Sequence, residues 1–192
     1  DSLDYRGFEA FKSVSQNEFL LVKEMILHNI NSPLTSGAGR LFDAVSALTG
    51  ICSENAFDSE APMRLESAIK CITEDYYPFT INGPVSFGKT FEALLEDICL
   101  RKISPSLISA KFHNTIARII LDVSVKMRDE YSVDKVVLSG GVFQNKYLLE
   151  KAAGSLQKAD FRVFTNSQVP SNDGGISLGQ ITVASKFFGL CV

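Results

Sequence analysis

Apolar residues recur every three or four positions along most of the chain, which is the spacing of an amphipathic helix. Residues that start and stop helices divide this pattern into separate segments. The predicted helices run from Ser15, where Glu18 completes a capping box, to about Ile30; across Leu41 to Leu48, ended by Gly50; after Asp58 or Ser59, with Leu65, Ile69 and Ile72 inward; over Phe91 to Ile98; and from Ser104-Pro105 to about Glu130.

Two short apolar runs near the C-terminus predict β-strands, a buried one at Lys135 to Leu138 and another at Phe161 to Phe164. A helix from Lys146 separates them, and a last helix follows Gly175. A strand, helix and strand in this order imply parallel strands joined by a right-handed crossover. Tyr77 to Ile81 predicts an edge strand, and Leu3 to Phe11 a short strand or an arm. The fold class is α/β, a helix-rich lobe with a small, mostly parallel sheet, and residues 1–192 form one compact unit because no linker is visible.

Composition narrows the class of protein further. With 192 residues, 45% hydrophobic and 21% charged, the chain is long enough for one globular domain or one lobe of a larger one. A net charge of −3 makes nucleic acid an improbable partner, and no apolar run would cross a bilayer. The four cysteines are widely spaced, which is typical of small buried side chains in a reducing cytoplasm. The chain lacks an initiating Met and a signal peptide, so we expect a cytoplasmic piece of a longer protein.

The turn Ser139-Gly140-Gly141 is the first candidate site, because it joins a strand to a helix through two glycines. Backbone N–H groups at such a turn face outward without side chains in the way, and the helix dipole attracts phosphate. The alternative is that both glycines only allow a tight connection. The turn by itself leaves both interpretations open.

Asn172-Asp173-Gly174-Gly175 forms a second glycine turn, after the next strand. Asn172 or Asp173 could simply cap the last helix. Alternatively, Gly174 and Gly175 bring backbone close to a nucleotide, with the Asp173 carboxylate near a metal or a metal-bound phosphate. Two turns that follow adjacent parallel strands open at the same edge of the sheet, where ligands collect.

Other candidates are weaker on the residues alone. Gly39 begins a helix with small residues, and Asp43 lies one turn in, where it could bond ribose hydroxyls or merely interact with the dipole. His28 and His113 are the only histidines, without metal-ligand spacing, and we expect both to be structural. No nucleophile–histidine set can be assembled, so the catalytic residues stay unknown. Asp173 cannot hold a metal by itself.

Taken together, these motifs resemble the C-terminal part of the HypF-type carbamoyltransferases, which act in [NiFe]-hydrogenase maturation. The likeness extends from about residue 29 onward and depends on four segments in one order: Asn31-Ser32-Pro33-Leu34-Thr35-Ser36 with Gly39-Arg40-Leu41-Phe42-Asp43, Phe112-His113-Asn114-Thr115, Val137-Leu138-Ser139-Gly140-Gly141-Val142-Phe143-Gln144-Asn145, and Asn172-Asp173-Gly174-Gly175-Ile176-Ser177-Leu178-Gly179-Gln180. The combination of the last two segments is specific.

The resemblance implies the C-terminal lobe of a Kae1-like domain with an incomplete actin-like ATPase fold (ASKHA, RNase H-like). Such proteins use carbamoyl phosphate and ATP to make carbamoyl-adenylate in a neighbouring domain, and then carbamoylate the C-terminal cysteine of a HypE-type partner. Transferred by motif, Ser139, Gly140, Gly141 and Asn145 line the nucleotide site, Gly39 and Asp43 reach ribose or base, and Asp173 completes a divalent metal site for Fe, Zn or Mg.

The chain also departs from the family pattern. The upstream H-x-x-x-H segment and the upstream domains are missing, and Phe57-Asp58-Ser59-Glu60-Ala61-Pro62 stands where the family has Y-E-G-Q-A-A. The join between Tyr5-Arg6-Gly7-Phe8 and the first helix is also shorter than usual. We therefore expect half of an active site, inactive in isolation. The alternatives are a relative that carbamoylates a small-molecule oxygen or transfers threonylcarbamoyl to tRNA, and a nucleotide-binding module without chemistry.

Overall fold

The computed structural model describes residues 7–189, and within them the chain forms seven α-helices and four short strands. The helices are α1 (Gln16–Leu27), α2 (Gly39–Leu48), α3 (Glu60–Ser67), α4 (Gly88–Cys99), α5 (Pro105–Tyr131), α6 (Lys146–Lys158) and α7 (Ile176–Phe187). The strands are β1 (Thr80–Ile81), β2 (Val85–Ser86), β3 (Lys135–Leu138) and β4 (Arg162–Thr165). Short 3-10 turns lie at Glu9–Phe11, Gly141–Gln144 and Asp173–Gly175.

Capping residues account for where the helices begin and end. At α1, the Ser15 Oγ accepts a hydrogen bond from the Glu18 N–H, and the Glu18 carboxylate accepts one from the Ser15 N–H, which confirms the predicted capping box. This helix ends at Leu27 rather than near Ile30, because Asn29 already has a left-handed φ of 55°. Gly50, with a φ of 71°, follows the end of α2 as predicted.

The described residues divide into two compact units instead of the predicted single one. One contains the chain up to Thr73 together with Leu95–Ala110, and the other contains Glu74–Leu94 and the chain from Lys111 onward. The division falls inside α4 and α5 and not in a linker, which is why composition gave no sign of it. The assignment of the whole chain to one C-terminal lobe stays a prediction.

Each unit has its own buried core. In the first unit, Phe42, Val45 and Leu65 are buried, and the buried Ser109 hydroxyl donates a hydrogen bond to the Leu65 carbonyl at 2.6 Å. In the second unit the core contains the α5 residues Phe112, Ile116 and Ile119 from the predicted stripe, together with Tyr77, Leu148 and Leu156. Burial of these apolar side chains is the main stabilising contribution to each unit.

The sheet pairings follow the predicted topology only in part. β3 and β4 are parallel, with Lys135 opposite Arg162 and Leu138 opposite Thr165, and α6 forms the crossover between them. The predicted edge strand at Tyr77 to Ile81 shrinks to β1, which pairs antiparallel with β2 through a turn at Gly83, where φ is 82°. Each sheet of the described residues has two strands.

The predicted burial of β3 is wrong for most of the strand. Leu138 is buried, but Val137 is 69% exposed, and Phe164 on β4 is 50% exposed. A two-stranded sheet within residues 7–189 leaves one face without a covering layer, and an apolar run does not reveal whether such a layer is present. Ile72 is also exposed and not inward, because α3 already ends at Ser67.

The predicted burial of the cysteines and the predicted strand or arm at Leu3 to Phe11 are only partly confirmed. Cys52 is buried, Cys71 is half-buried and Cys99 is exposed, so burial does not describe all of them. Cys191 and the Leu3 to Arg6 part of the predicted arm lie outside the described residues, and Glu9–Phe11 forms a 3-10 turn instead of a strand. None of the helices between residues 7 and 189 combines the length and apolar character that a membrane span requires.

Candidate functional site

The two glycine turns lie together at the carboxyl edge of the parallel sheet, in the second unit. Ser139–Gly141 follows β3, and the loop after β4 leads to Asp173–Gly175. The Gly140 N–H donates a hydrogen bond of 2.8 Å to the Ser171 carbonyl and thereby joins the first turn to the loop that precedes the second. The predicted convergence of the two turns is therefore present, at the place where ligands bind in open α/β sheets.

The glycines of the first turn serve different purposes. Gly140 has a φ of 103° and a ψ of 162°, a conformation that essentially requires glycine. At Gly141, φ is ordinary and an added Cβ would meet no atom within 4 Å, so the fold does not demand glycine there. The Gly140 N–H donates its hydrogen bond to the Ser171 carbonyl. The N–H groups of Gly141 and Val142, in contrast, have no acceptor within residues 7–189. An exposed turn with free N–H groups fits an anionic ligand.

The second turn is held by its own loop. The Asn172 side chain caps it by accepting from the Gly174 N–H at 3.1 Å, and the Gly175 N–H donates to the Asn172 carbonyl at 3.0 Å. A Cβ on Gly175 would lie 2.8 Å from the Pro170 carbonyl oxygen, so close packing already explains this glycine. That Gly174 and Gly175 contact a nucleotide stays a prediction. Asp173 is exposed, and its carboxylate has no partner among the described residues.

A cavity of about 220 Å³ lies beside these turns. Its wall contains Leu138 and Thr165 at the strand ends, Phe143 and Gln144 after the first turn, and Asn166, Val169, Pro170 and Ser171 in the loop after β4. Pockets that enclose a whole small ligand usually measure about 300–1,000 Å³. The cavity is therefore large enough for part of a nucleotide and not for all of it.

Asn145 links the first turn to the interior of the second unit. Its Oδ1 accepts from the Leu148 N–H at 2.8 Å, which caps α6, and its Nδ2 lies 2.8 Å from Nε2 of the buried His113. The sequence placed His113 near the site as a structural residue but did not reveal this pair, because 32 residues separate the two in the chain. The only available signal was that both residues fall in segments of the same family pattern.

Gly39 and Asp43 belong to the first unit. Gly39 opens α2, Ala38 before it provides no side-chain cap, and a Cβ on Gly39 would meet nothing within 4 Å. One guanidinium nitrogen of Arg40 lies 3.0 Å from the Asp43 carboxylate, yet neither buried oxygen has a hydrogen-bond partner in the described part of the chain. The Arg40 charge offsets part of the cost of burying this carboxylate, and both oxygens can still accept a hydrogen bond from a hydroxyl donor.

The described residues do not complete a metal site. Between residues 7 and 189 no group of three or more His, Cys, Asp or Glu side chains is arranged to hold a metal ion. Asp173 would supply a single ligand, and tight sites need several. Any metal at this turn therefore depends on ligands from outside the described residues.

The segment Phe57 to Pro62, which departs from the family pattern, forms a tight loop entering α3. Ser59 has a left-handed φ of 64°, and it occupies the position of the family glycine. The buried Glu60 carboxylate accepts from the Ala56 N–H at 2.6 Å and pairs with Arg64 at 2.6 Å. The hydrogen bond from Ala56 and then the Arg64 charge hold the pKa of Glu60 below its ordinary value, against the effect of burial.

The family model for the second subdomain of the Kae1-like domain of carbamoyltransferases matches residues 3–180 of the chain. Among curated proteins, the chain is 37% identical over 153 residues to carbamoyltransferase HypF of Synechocystis and 34% identical over 166 residues to that of Rhodobacter capsulatus. These alignments cover 78% and 86% of the chain but only 19% and 22% of the relatives. The chain thus spans about a fifth of their length.

Two solved structures have the same fold. A crystal structure of full-length HypF in the phosphate- and nucleotide-bound form superposes with a TM-score of 0.86 at 39% identity, over 93% of this chain and 24% of that one. HypF of T. kodakarensis superposes with a TM-score of 0.79 at 26% identity, over 90% and 23%. The helix-rich α/β architecture predicted from the sequence is confirmed, and a Kae1-like domain is consistent with the expected actin-like type.

Proposed function

Because the chain belongs to the second subdomain of the Kae1-like carbamoyltransferase domain, we propose that it forms one wall of the nucleotide site of a HypF-type carbamoyltransferase. The observation that carries this proposal is the likeness, at a TM-score of 0.86 and 39% identity, to a HypF that was crystallised with phosphate and nucleotide. The N–H groups of Gly141 and Val142, for which residues 7–189 provide no acceptor, support it independently.

The residues of the wall have separate roles in this proposal. The N–H groups of Gly141 and Val142 bind phosphate oxygens, and the Asn145 side chain adds a polar contact beside them. Ser139, Gly140, Gly174 and Gly175 shape the backbone next to the ligand. Gly39 and Asp43 belong to the first unit, and their proposed contact with ribose hydroxyls or the base is an assignment separate from the wall.

The proposed reaction takes place in the cytoplasm and uses a carbamoyl-adenylate made from carbamoyl phosphate and ATP by a neighbouring domain. The thiolate of the C-terminal cysteine of a HypE-type acceptor attacks the carbamoyl carbon, the bond to the phosphate oxygen breaks, and AMP leaves with the electron pair. Backbone N–H donors at a turn stabilise the charge that the leaving phosphate gains. A divalent metal would polarise the transferred carbonyl. Asp173 would be one of its ligands, with the others upstream.

The nucleotide site is tested by substitution of glycines that the fold does not need. In the complete Kae1-like domain, with the first subdomain joined to this chain, Gly141→Ala places a methyl group where the phosphate binds. We expect ATP affinity, measured by calorimetry, to fall at least about tenfold, or about 1.4 kcal/mol. Gly154→Ala, at an open position within α6, is the control and should leave affinity unchanged. Equal affinities of both variants would remove Gly141 from the site.

The acceptor is tested separately, with radiolabelled carbamoyl phosphate, ATP and the complete protein. We expect label on the C-terminal cysteine of a HypE-type acceptor, and no transfer by the 192-residue chain in isolation. Label on tRNA or on a small alcohol instead would favour the related carbamoyl- or threonylcarbamoyltransferases. Nucleotide binding without transfer to any acceptor would favour a binding module, which the short span of the chain relative to its relatives keeps as the second candidate.

A further inference from the structure

His113 is an imidazole that is 0% exposed in the middle of α5, and the function proposed above does not use it. A buried polar side chain destabilises a fold unless its polar atoms are hydrogen-bonded. The partner of Nε2 is Nδ2 of Asn145, 2.8 Å away, at the N-terminus of α6. A buried histidine is thus bonded to a residue of the candidate nucleotide site.

The orientation of the Asn145 amide determines which atom donates. Its Oδ1 accepts from the Leu148 N–H at 2.8 Å, and an exchange of oxygen and nitrogen would place two donors against each other there. Nδ2 therefore faces His113, and because an amide nitrogen only donates, Nε2 of His113 must accept. It follows that His113 is neutral, with its proton on Nδ1.

The pair fixes Asn145 without using up its hydrogen-bonding capacity. A side-chain amide has two N–H donors and two oxygen lone pairs, and these two bonds occupy one of each. A second anchor lies next to it: the Tyr147 ring meets the His113 ring edge-on, and the Tyr147 hydroxyl donates to Asn114 Oδ1 at 3.1 Å. The start of α6, and the 3-10 turn Gly141–Gln144 before it, are thus attached to α5 at adjacent residues.

We propose that His113 is a positioning residue of the nucleotide site. By accepting a hydrogen bond at Nε2, it holds Asn145 so that the remaining amide N–H can donate to a phosphate oxygen of the nucleotide bound at Gly141. This inference rests on the proposed nucleotide site, but the neutral tautomer of His113 follows from the protein geometry.

Two substitutions at position 113 show whether the hydrogen bond accepted at Nε2 matters, or only the volume of the side chain. Gln at position 113 can place its carbonyl oxygen close to where Nε2 lies, whereas Leu fills a similar volume without an acceptor. In the complete Kae1-like domain, we expect His113→Leu to weaken ATP binding about tenfold and His113→Gln to stay within about threefold of the unchanged protein. Thr115→Val, which removes the hydroxyl that accepts from the Tyr77 N–H at 2.8 Å, is the control and should lower stability but not ATP affinity.

Equally weak binding by His113→Gln and His113→Leu, or an equal loss in Thr115→Val, would overturn the positioning role while leaving the nucleotide site in place. Failure of the unchanged domain to bind ATP would overturn the positioning role and the proposed function together.

Nitrogen-15 NMR of the 192-residue chain tests the hydrogen bond between His113 and Asn145 without any nucleotide. The chain has two histidines, so His28→Gln assigns the signals, and we expect an unprotonated Nε2 for His113 at neutral pH. A proton on that nitrogen would refute the pairing itself.

Discussion

Two neighbouring residues, Ser59 and Glu60, affect stability in opposite directions where the chain departs from the family pattern. Ser59 holds a left-handed conformation that an L-residue adopts only at a cost in free energy, because Cβ crowds the backbone. Glu60 compensates in part, since its carboxylate bonds Ala56 and pairs with Arg64. Both effects can be measured separately.

We predict that Ser59→Gly raises the free energy of unfolding by about 0.5–1 kcal/mol, because relief of backbone strain exceeds the added freedom of the unfolded chain. Urea unfolding measures the change. Ser124→Gly, within α5, is the comparison and should destabilise instead, since glycine is unfavourable inside a helix and the hydroxyl that donates to the Ile120 carbonyl at 2.7 Å is lost. A loss of stability in both variants would show that Ser59 is not strained.

A second prediction concerns pH. Because the folded-state pKa of Glu60 lies below its ordinary value, its charge stabilises the fold at pH above that value, about 4.3, and this contribution disappears as pH falls through the folded-state pKa. Glu60→Gln should therefore be less stable than the unchanged chain near neutral pH, and the difference should shrink on acidification. Thermal unfolding across the acidic range checks this. Glu54→Gln, exposed in the same loop, should show no such trend.

Sequence reasoning located the candidate residues but not their individual bonds. Turn chemistry correctly placed Gly140 and Gly141 after a strand, and Asn172 at a cap. It could not show that the Gly140 N–H is bonded to Ser171, or that Asn145 meets His113, because each bond joins segments far apart in the chain. Local patterns encode local geometry, and such contacts depend on packing.

Among the secondary-structure elements, α7 offers a test that separates packing from helix propensity, because one glycine lies just before it and another lies within it. Gly175 precedes the helix against Pro170, whereas Gly179 is an exposed interior position with open space around it. Gly175→Ala should destabilise by about 1–3 kcal/mol, because the methyl group lies 2.8 Å from a backbone oxygen. Gly179→Ala should stabilise by about 1 kcal/mol. Chemical denaturation of both variants tests the pair, and a neutral Gly175→Ala would mean that this loop yields easily.

Helices were more predictable than strands. The starts of α1 and α5 carry Ser15 and Ser104-Pro105, whose capping chemistry acts over a few residues. Strand length and burial depend on neighbours that a local pattern does not contain. For this reason β1 is shorter than predicted, and β3 is more exposed.

At the scale of the whole molecule, the described residues expose large apolar side chains on elements that would normally be covered. On α1, Leu21, Ile26 and Leu27 are each more than 60% exposed, and on α7 the same holds for Val183 and Phe187. Large exposed apolar side chains of this kind often mark interaction surfaces when they form a patch, as Val183 and Phe187, one turn apart on α7, can do. The relatives extend well beyond the aligned region, and the rest of such a protein is the occupant that our functional proposal implies.

We predict that the 192-residue chain self-associates as its concentration rises, and that Val183→Lys with Phe187→Lys reduces this association without lowering the melting temperature. Both side chains are exposed, at 70% and 83%, so their replacement costs little packing. Sedimentation velocity provides the measurement. Leu34→Lys, a fully exposed position that belongs to neither helix, is the control and should leave association unchanged. Undiminished association in the double variant would assign it to another surface.

The hydrogen bond from Gly140 to Ser171 makes one amide proton a reporter of the site. Gly140 is on the surface, so its deuterium exchange would be fast if its loop moved apart from the neighbouring loop, and slow while the 2.8 Å bond holds. The ratio of these rates gives the free energy of loop separation at a single position. A nucleotide that binds both loops should slow this exchange further, whereas one that wedges them apart should accelerate it.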